Sequence, residues 1–160
     1  MPIILTRIDD KLMHAQIVWG WVPLIKPSQI IVVNDEVAKD ELRKRILTAA
    51  ADPILDQSKV KILSLKEALN ETSLRKNDGE GIALVLSKPA DVVYLIKNGI
   101  NIRKISLGYM SEQPGKRRIL ETVFIDEDDI KAFKELMDMG VELEYQSSPQ
   151  EKPISAEAWM

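Results

Sequence analysis

The sequence predicts an α/β fold: an open, mainly parallel, twisted sheet with helices on both faces and one antiparallel strand near the C-terminal part. Two observations carry this expectation. Short runs rich in Ile and Val recur along the chain, several of them continuously apolar, as strands covered on both faces tend to be. Between them lie stretches whose apolar residues recur at helical spacing. Such alternation implies right-handed crossovers between parallel strands.

Taken in order, strands are expected over residues 2–7, 28–33, 59–64, 81–86 and 102–107. A helix over 14–25 follows the first of them. Within 36–51, Ala38, Leu42, Ile46 and Ala49 fall on one helical face. Segment 89–98 has Pro89 suited to a first helical turn and Gly99 as its stop. Segment 127–139 opens after Asp126, carries Ile130, Phe133, Leu136 and Met137, and ends at Gly140. The rhythm breaks after the fifth strand. The turn-rich GYMSEQPGK leads into RRILETVFID with no helix between, so 118–125 reads as the antiparallel element. A last strand is expected over 141–146, and from Ser147 the chain is polar and broken by prolines, expected to be poorly ordered unless Trp159 ties it down.

Composition bounds the function. With 160 residues, 45% hydrophobic and 29% charged, the chain is long enough for a sizeable core. Net charge is −3 and the nearest thing to a basic block, Lys116-Arg117-Arg118, is too short for a nucleic-acid stripe, so no nucleic-acid partner is expected. The absence of cysteine excludes disulfides and thiolate metal sites, and one histidine argues against zinc; neither metal nor cofactor is expected. The opening residues lack a signal-peptide pattern, and no apolar run approaches the ~20 residues of a membrane span, so an intracellular protein is expected.

The chemistry concentrates in RIDDKLMHAQIVWGW, residues 7–21. His14, the only histidine, opens a helix at the carboxyl edge of the sheet, where open α/β sheets bind ligands. The first N–H groups of a helix have no partners within it and, with the helix dipole, favour an anion. Arg7 offers two parallel N–H contacts to a phosphate. An imidazole, an arginine and a helix N-terminus together suit the acceptance of a phosphoryl group. The competing reading is a structural histidine on the surface or in a hydrogen-bond network. Asp9 and Asp10 have two readings as well, capping of the loop or orientation of His14 and Arg7. A receiver-type magnesium pocket is excluded, because the third strand ends in ILSLKEA without the aspartate such a pocket needs. Trp19 and Trp21 are expected to pack in the core or at a subunit contact. No strand is followed by a nucleotide-binding glycine loop, so phosphate would arrive already carried by another molecule.

The stretch RIDDKLMHAQ, residues 7–16, resembles the R-I-D-D-R-L-I-H-G-Q signature of IIB subunits in the mannose–fructose–sorbose family of sugar phosphotransferase systems. The resemblance continues in IIVVNDEVAKDELRK, LSKPADVVYLI, ISLGYM and FIDEDDIKAFKELMDMGVELE, reaching all but about the last dozen residues. It implies an α/β unit over 1–146 followed by a polar tail over 147–160. It also implies a phosphotransferase component. His14 would accept a phosphoryl group from a phosphohistidine of a IIA subunit and pass it to a sugar delivered by membrane IIC and IID subunits, with Arg7 as its catalytic partner. Asp9, Asp10, Lys11, Leu12, Met13, Ala15 and Gln16 would form the surrounding phosphate loop. The chain would be cytoplasmic, peripheral to the membrane transporter, with self-association left open. The signature is altered in three places: Lys11 replaces the usual arginine, Ala15 the usual glycine, and Tyr109 an asparagine common in the loop after the fifth strand. A second reading is therefore a degenerate or regulatory phosphorelay module with little or no sugar phosphorylation. Arg7, Asp9, Asp10 and His14 favour the carrier, Ala15 and Tyr109 the module.

Overall fold

A computed structural model describes residues 3–14, 16–51, 56, 59–75 and 81–160, with Gln16 described through its backbone. Pro2, at the start of the first expected strand, and Ala15 lie outside the described residues. The main sheet contains β1 (Ile3–Asp9), β2 (Gln29–Val33), β3 (Val60–Leu63), β4 (Ile82–Leu86) and β5 (Lys104–Tyr109). It is completed by β8 (Glu142–Tyr145) and β9 (Ile154–Ser155), in the order β3-β2-β4-β1-β5-β8-β9. Every pairing is parallel except β8 with β9. β1 is therefore central, and its carboxyl end lies between the ends of β4 and β5.

The continuous apolar runs follow from two covered faces. Ile31 and Val33 of β2 join one core with Ile8, Leu84, Leu86, Ile105, Leu107, Phe133 and Leu136. Ile30 and Val32, pointing the other way, join a second core with Leu12, Met13, Ile17, Val18, Val37, Ala83 and Val85. Each such fully buried side chain stabilises the fold by roughly 1.5–3 kcal/mol. The first core is covered by α6 (Pro89–Lys97) and α7 (Glu127–Asp138), with α4 (Leu65–Leu69) and α5 (Thr72–Arg75) beside them. Capping is local: Ser64 with Glu67 and Asp126 with Asp129 each form reciprocal boxes that satisfy the free N–H groups of a first turn.

Three expectations change. The helix expected over 14–25 is a π-helical turn, Gln16–Trp21, running into α1 (Val22–Ile25). Pro23 in that first α turn has no N–H to return to Trp19, which removes an α-type bond where the wider winding occurs. The helix expected over 36–51 is two, α2 (Asp35–Ala38) and α3 (Glu41–Ala51). The break resets the phase, so Leu42 and Ile46 are 67% and 58% exposed while Ala51 is buried. The strand expected over 118–125 is a hairpin, β6 (Arg117–Leu120) and β7 (Val123–Ile125), which forms its own two-stranded sheet. The reversal is held at Thr122, whose carbonyl accepts from Met110 N–H and whose hydroxyl donates to Gly108 O. Beyond Tyr145, β9 pairs along β8, and Trp159 donates to Ile154 O and meets Phe133 edge-on at 5.9 Å.

One buried charge makes stability depend on pH. Asp91, in the first turn of α6, is buried, and desolvation pushes its carboxyl up to about 6, outweighing nearby Lys88, with Asp35 adding to the rise. A carboxyl whose folded pKa is raised binds its proton more tightly when folded. Stability is therefore lost as pH rises from about 4 to 6, and the penalty is complete above that window. Asp91→Asn should add roughly 1–3 kcal/mol to unfolding stability at pH 7 and nothing below pH ~4. Urea titrations at the two pH values check this, and equal stabilities at pH 7 would refute it.

Candidate functional site

β1 runs through the sheet interior and delivers its last residues to the carboxyl edge. Alternation sends Arg7 and Asp9 to one face, and both are fully buried. Arg7 Nη1 donates to Ser106 Oγ at 2.9 Å and to Gln146 O at 2.7 Å, while Nη2 donates to Ser147 O at 2.9 Å. Its Nε stands 3.8 Å from Asp9 Oδ2, and the Trp21 ring centroid lies 4.8 Å from its central carbon. Burial lowers the Arg7 pKa to about 10, opposed chiefly by the charge of Asp9, so the side chain remains a cation at neutral pH. Gly108 makes the cradle possible, because a Cβ there would fall inside the guanidinium.

Above Arg7, Asp9 organises the loop. Its Oδ2 is 2.9 Å from His14 Nε2, its Oδ1 accepts Lys11 N–H at 3.1 Å, and its carbonyl accepts Leu12 N–H at 2.9 Å. Leu12 turns the chain with a positive φ of 56°, unusual outside glycine, and its buried side chain enters the second core with that of Met13. Asp10 fastens the loop sideways: its carboxylate accepts from Ser111 N–H at 2.7 Å and Ser111 Oγ–H at 2.8 Å, and its own N–H donates to Tyr109 O at 3.0 Å. His14 remains 19% exposed at the lip, and its carbonyl accepts Val18 N–H to begin the helical winding. Lys11 and Tyr109, two of the three altered positions, meet: the ammonium lies 4.0 Å from the ring centroid.

The structure thus brings Asp9, Asp10, Lys11, Leu12, Met13 and His14 into one loop, with Gln16 opening the winding behind it. Arg7 is wholly buried, with its Nε 3.8 Å from the same Asp9 Oδ2 that lies 2.9 Å from His14 Nε2, and its donors serve Ser106, Gln146 and Ser147. Residue reading missed Ser106, Gly108, Ser111, Gln146 and Ser147, all remote in sequence from the motif. Trp21 is buried against Arg7, whereas Trp19 is 60% exposed. Among the described residues, no group of three or more His, Cys, Asp or Glu side chains could hold a metal ion.

Comparison with known proteins converges on one family. The model for the IIB component of the PTS system sorbose subfamily matches residues 3–160. The chain is 35% identical over 149 residues to the PTS system fructose-specific EIIB component of Bacillus subtilis (strain 168), covering 93% of this chain and 90% of that one. It is 39% identical over 144 residues to the mannose-specific EIIAB component of Escherichia coli (strain K12), covering 90% of this chain but 44% of that longer protein. Among solved structures, the IIBSor domain of the sorbose permease from Klebsiella pneumoniae superposes with a TM-score of 0.88 at 32% identity, over 98% of this chain and 94% of that one.

Proposed function

Because the chain belongs to the IIB components of the PTS sorbose subfamily, we propose that it is a phosphocarrier whose acceptor is His14. The observation that carries this reading is the buried Asp9 carboxylate 2.9 Å behind His14 Nε2. A carboxylate at that distance favours the tautomer with its proton on Nε2 and its lone pair on Nδ1, although the two atoms are not aligned as a hydrogen bond. Nδ1 is then the nucleophile. It attacks the phosphorus of a phosphohistidine on a IIA subunit; the new N–P bond forms as the donor's N–P bond breaks, and the donor ring keeps the electron pair. The positive charge gained by the His14 ring is met by Asp9, itself supported by Arg7. In the second step a sugar hydroxyl presented by membrane IIC and IID subunits attacks the phosphorus and releases its proton to solvent, and the N–P electron pair returns to His14. Among the described residues no helix is long and apolar enough to cross a membrane, so this chain would meet those subunits from outside the bilayer.

The direct test is transfer from a phosphorylated IIA protein to the intact chain in the presence of EDTA, followed by mapping of the phosphate. Acid-labile, base-stable phosphate on His14 is expected, undiminished by the chelator. Phosphate on any other residue would overturn the assignment, and loss of transfer on adding EDTA would overturn the metal-free mechanism.

A further inference from the structure

We infer that Tyr109 is a positioning residue for phosphoryl transfer, its ring being the seat from which the Lys11 ammonium reaches the phosphoryl group on His14. This rests on the reading of His14 as acceptor. A phosphoryl group in transfer carries charge on its outer oxygens, and a site without metal needs a cation to meet it. Arg7 is buried and committed. Lys26, the next basic residue after Lys11, caps the far end of α1. Lys11 is exposed on the loop three positions before His14.

Its surroundings suit a mobile charge on a fixed base. The Lys11 backbone is held by its N–H bond to Asp9 Oδ1. Asp10, the carboxylate next to it in sequence, is occupied by both donors of Ser111 and does not pair with Lys11. Among the described residues Lys11 makes no ion pair with any carboxylate within 4.0 Å, and its ammonium rests instead 4.0 Å from the Tyr109 centroid. A carboxylate in that place would neutralise the ammonium and hold it against a competing anion. An aromatic face at the surface holds a cation weakly, without cancelling its charge, so the ammonium is released at small cost when a dianionic group arrives. Tyr109 is itself fixed, because its carbonyl accepts Asp10 N–H and β5 pairs with β1 at Asp9. Lysine supplies a point charge on a flexible stem, so its ammonium can leave the ring and swing toward a nearby anion.

The test is a double-mutant cycle on the intact chain with phosphorylated IIA as donor. Lys11→Met and Tyr109→Leu should each slow transfer at saturating donor about tenfold, with the donor KM changing less than twofold, while Tyr109→Phe, which keeps the aromatic face, should retain the parent rate. Tyr109→Leu in the Lys11→Met background should cost nothing further. Urea midpoints and phosphate mapping accompany every variant. Parent-like transfer by Tyr109→Leu overturns the inference, as does an equal loss in both backgrounds, which would mean that Tyr109 acts through the fold. A parent chain that takes no phosphate on His14 instead overturns the carrier reading, and the inference with it.

Discussion

Arg7→Met should lower the unfolding free energy by about 3–5 kcal/mol, the cost of leaving a buried charge without its partner. The carboxylate of Asp9 is fully buried, with the guanidinium 3.8 Å away. Three acceptors, Ser106 Oγ, Gln146 O and Ser147 O, would lose their donors in the same step. Against a typical total of about 5–15 kcal/mol, this is enough to populate unfolded chain at physiological temperature. Transfer to His14 should also slow, because Asp9 loses the cation that fixes it. Arg7→Lys should recover only part of the stability: an ammonium keeps the charge but not the planar fork that serves separate acceptors. Urea unfolding followed by tryptophan fluorescence, to which Trp21 against Arg7 contributes, reads the effect. A variant within 1 kcal/mol of the parent would show that the cradle contributes little beyond filling space.

Much of the architecture is legible in residue order because its causes are local. The Ile and Val runs report strands buried on two faces, Pro89 and Gly99 bracket α6, and Asp126 announces α7 through its capping box. The position of His14 at a strand–helix junction is equally local. What is not legible depends on partners distant in sequence. Arg7 beside Asp9 and His14 reads as a phosphate ligand, and only the pairing of β1 with β5 brings Ser106 and Gly108 against it. Gln146 and Ser147, 139 and 140 residues away, complete its burial. The apolar stripe of Ala38, Leu42, Ile46 and Ala49 fits one uninterrupted helix. Asp40 ends that continuity by turning its side chain to Arg43 N–H at 3.1 Å, and the stripe faces outward. In the hairpin, Leu120 and Val123 look like one strand until the end of β5 captures Thr122.

Asp9→Asn should slow transfer to His14 by about 10²–10⁴-fold, the range associated with placing a catalytic imidazole in the wrong tautomer. Asp9 Oδ1 accepts Lys11 N–H, and Oδ2 lies 2.9 Å from His14 Nε2. Asparagine offers one acceptor and one donor. If its oxygen keeps the Lys11 bond, its amide N–H₂ faces Nε2, which must then carry the lone pair, and the proton moves to Nδ1, the nitrogen that has to attack. If the amide flips, the loop loses the Lys11 bond and the turn that presents His14 loosens. Either arrangement also removes the negative charge that meets the imidazolium formed on phosphorylation. Because His14 is the only histidine, its two ring nitrogens can be followed without ambiguity by ¹⁵N NMR. The parent should show its proton on Nε2 and the variant on Nδ1, with the rate loss accompanying the switch. A variant that keeps its proton on Nε2 and transfers within threefold of the parent would mean that Asp9 supports the loop and leaves the chemistry to His14 alone.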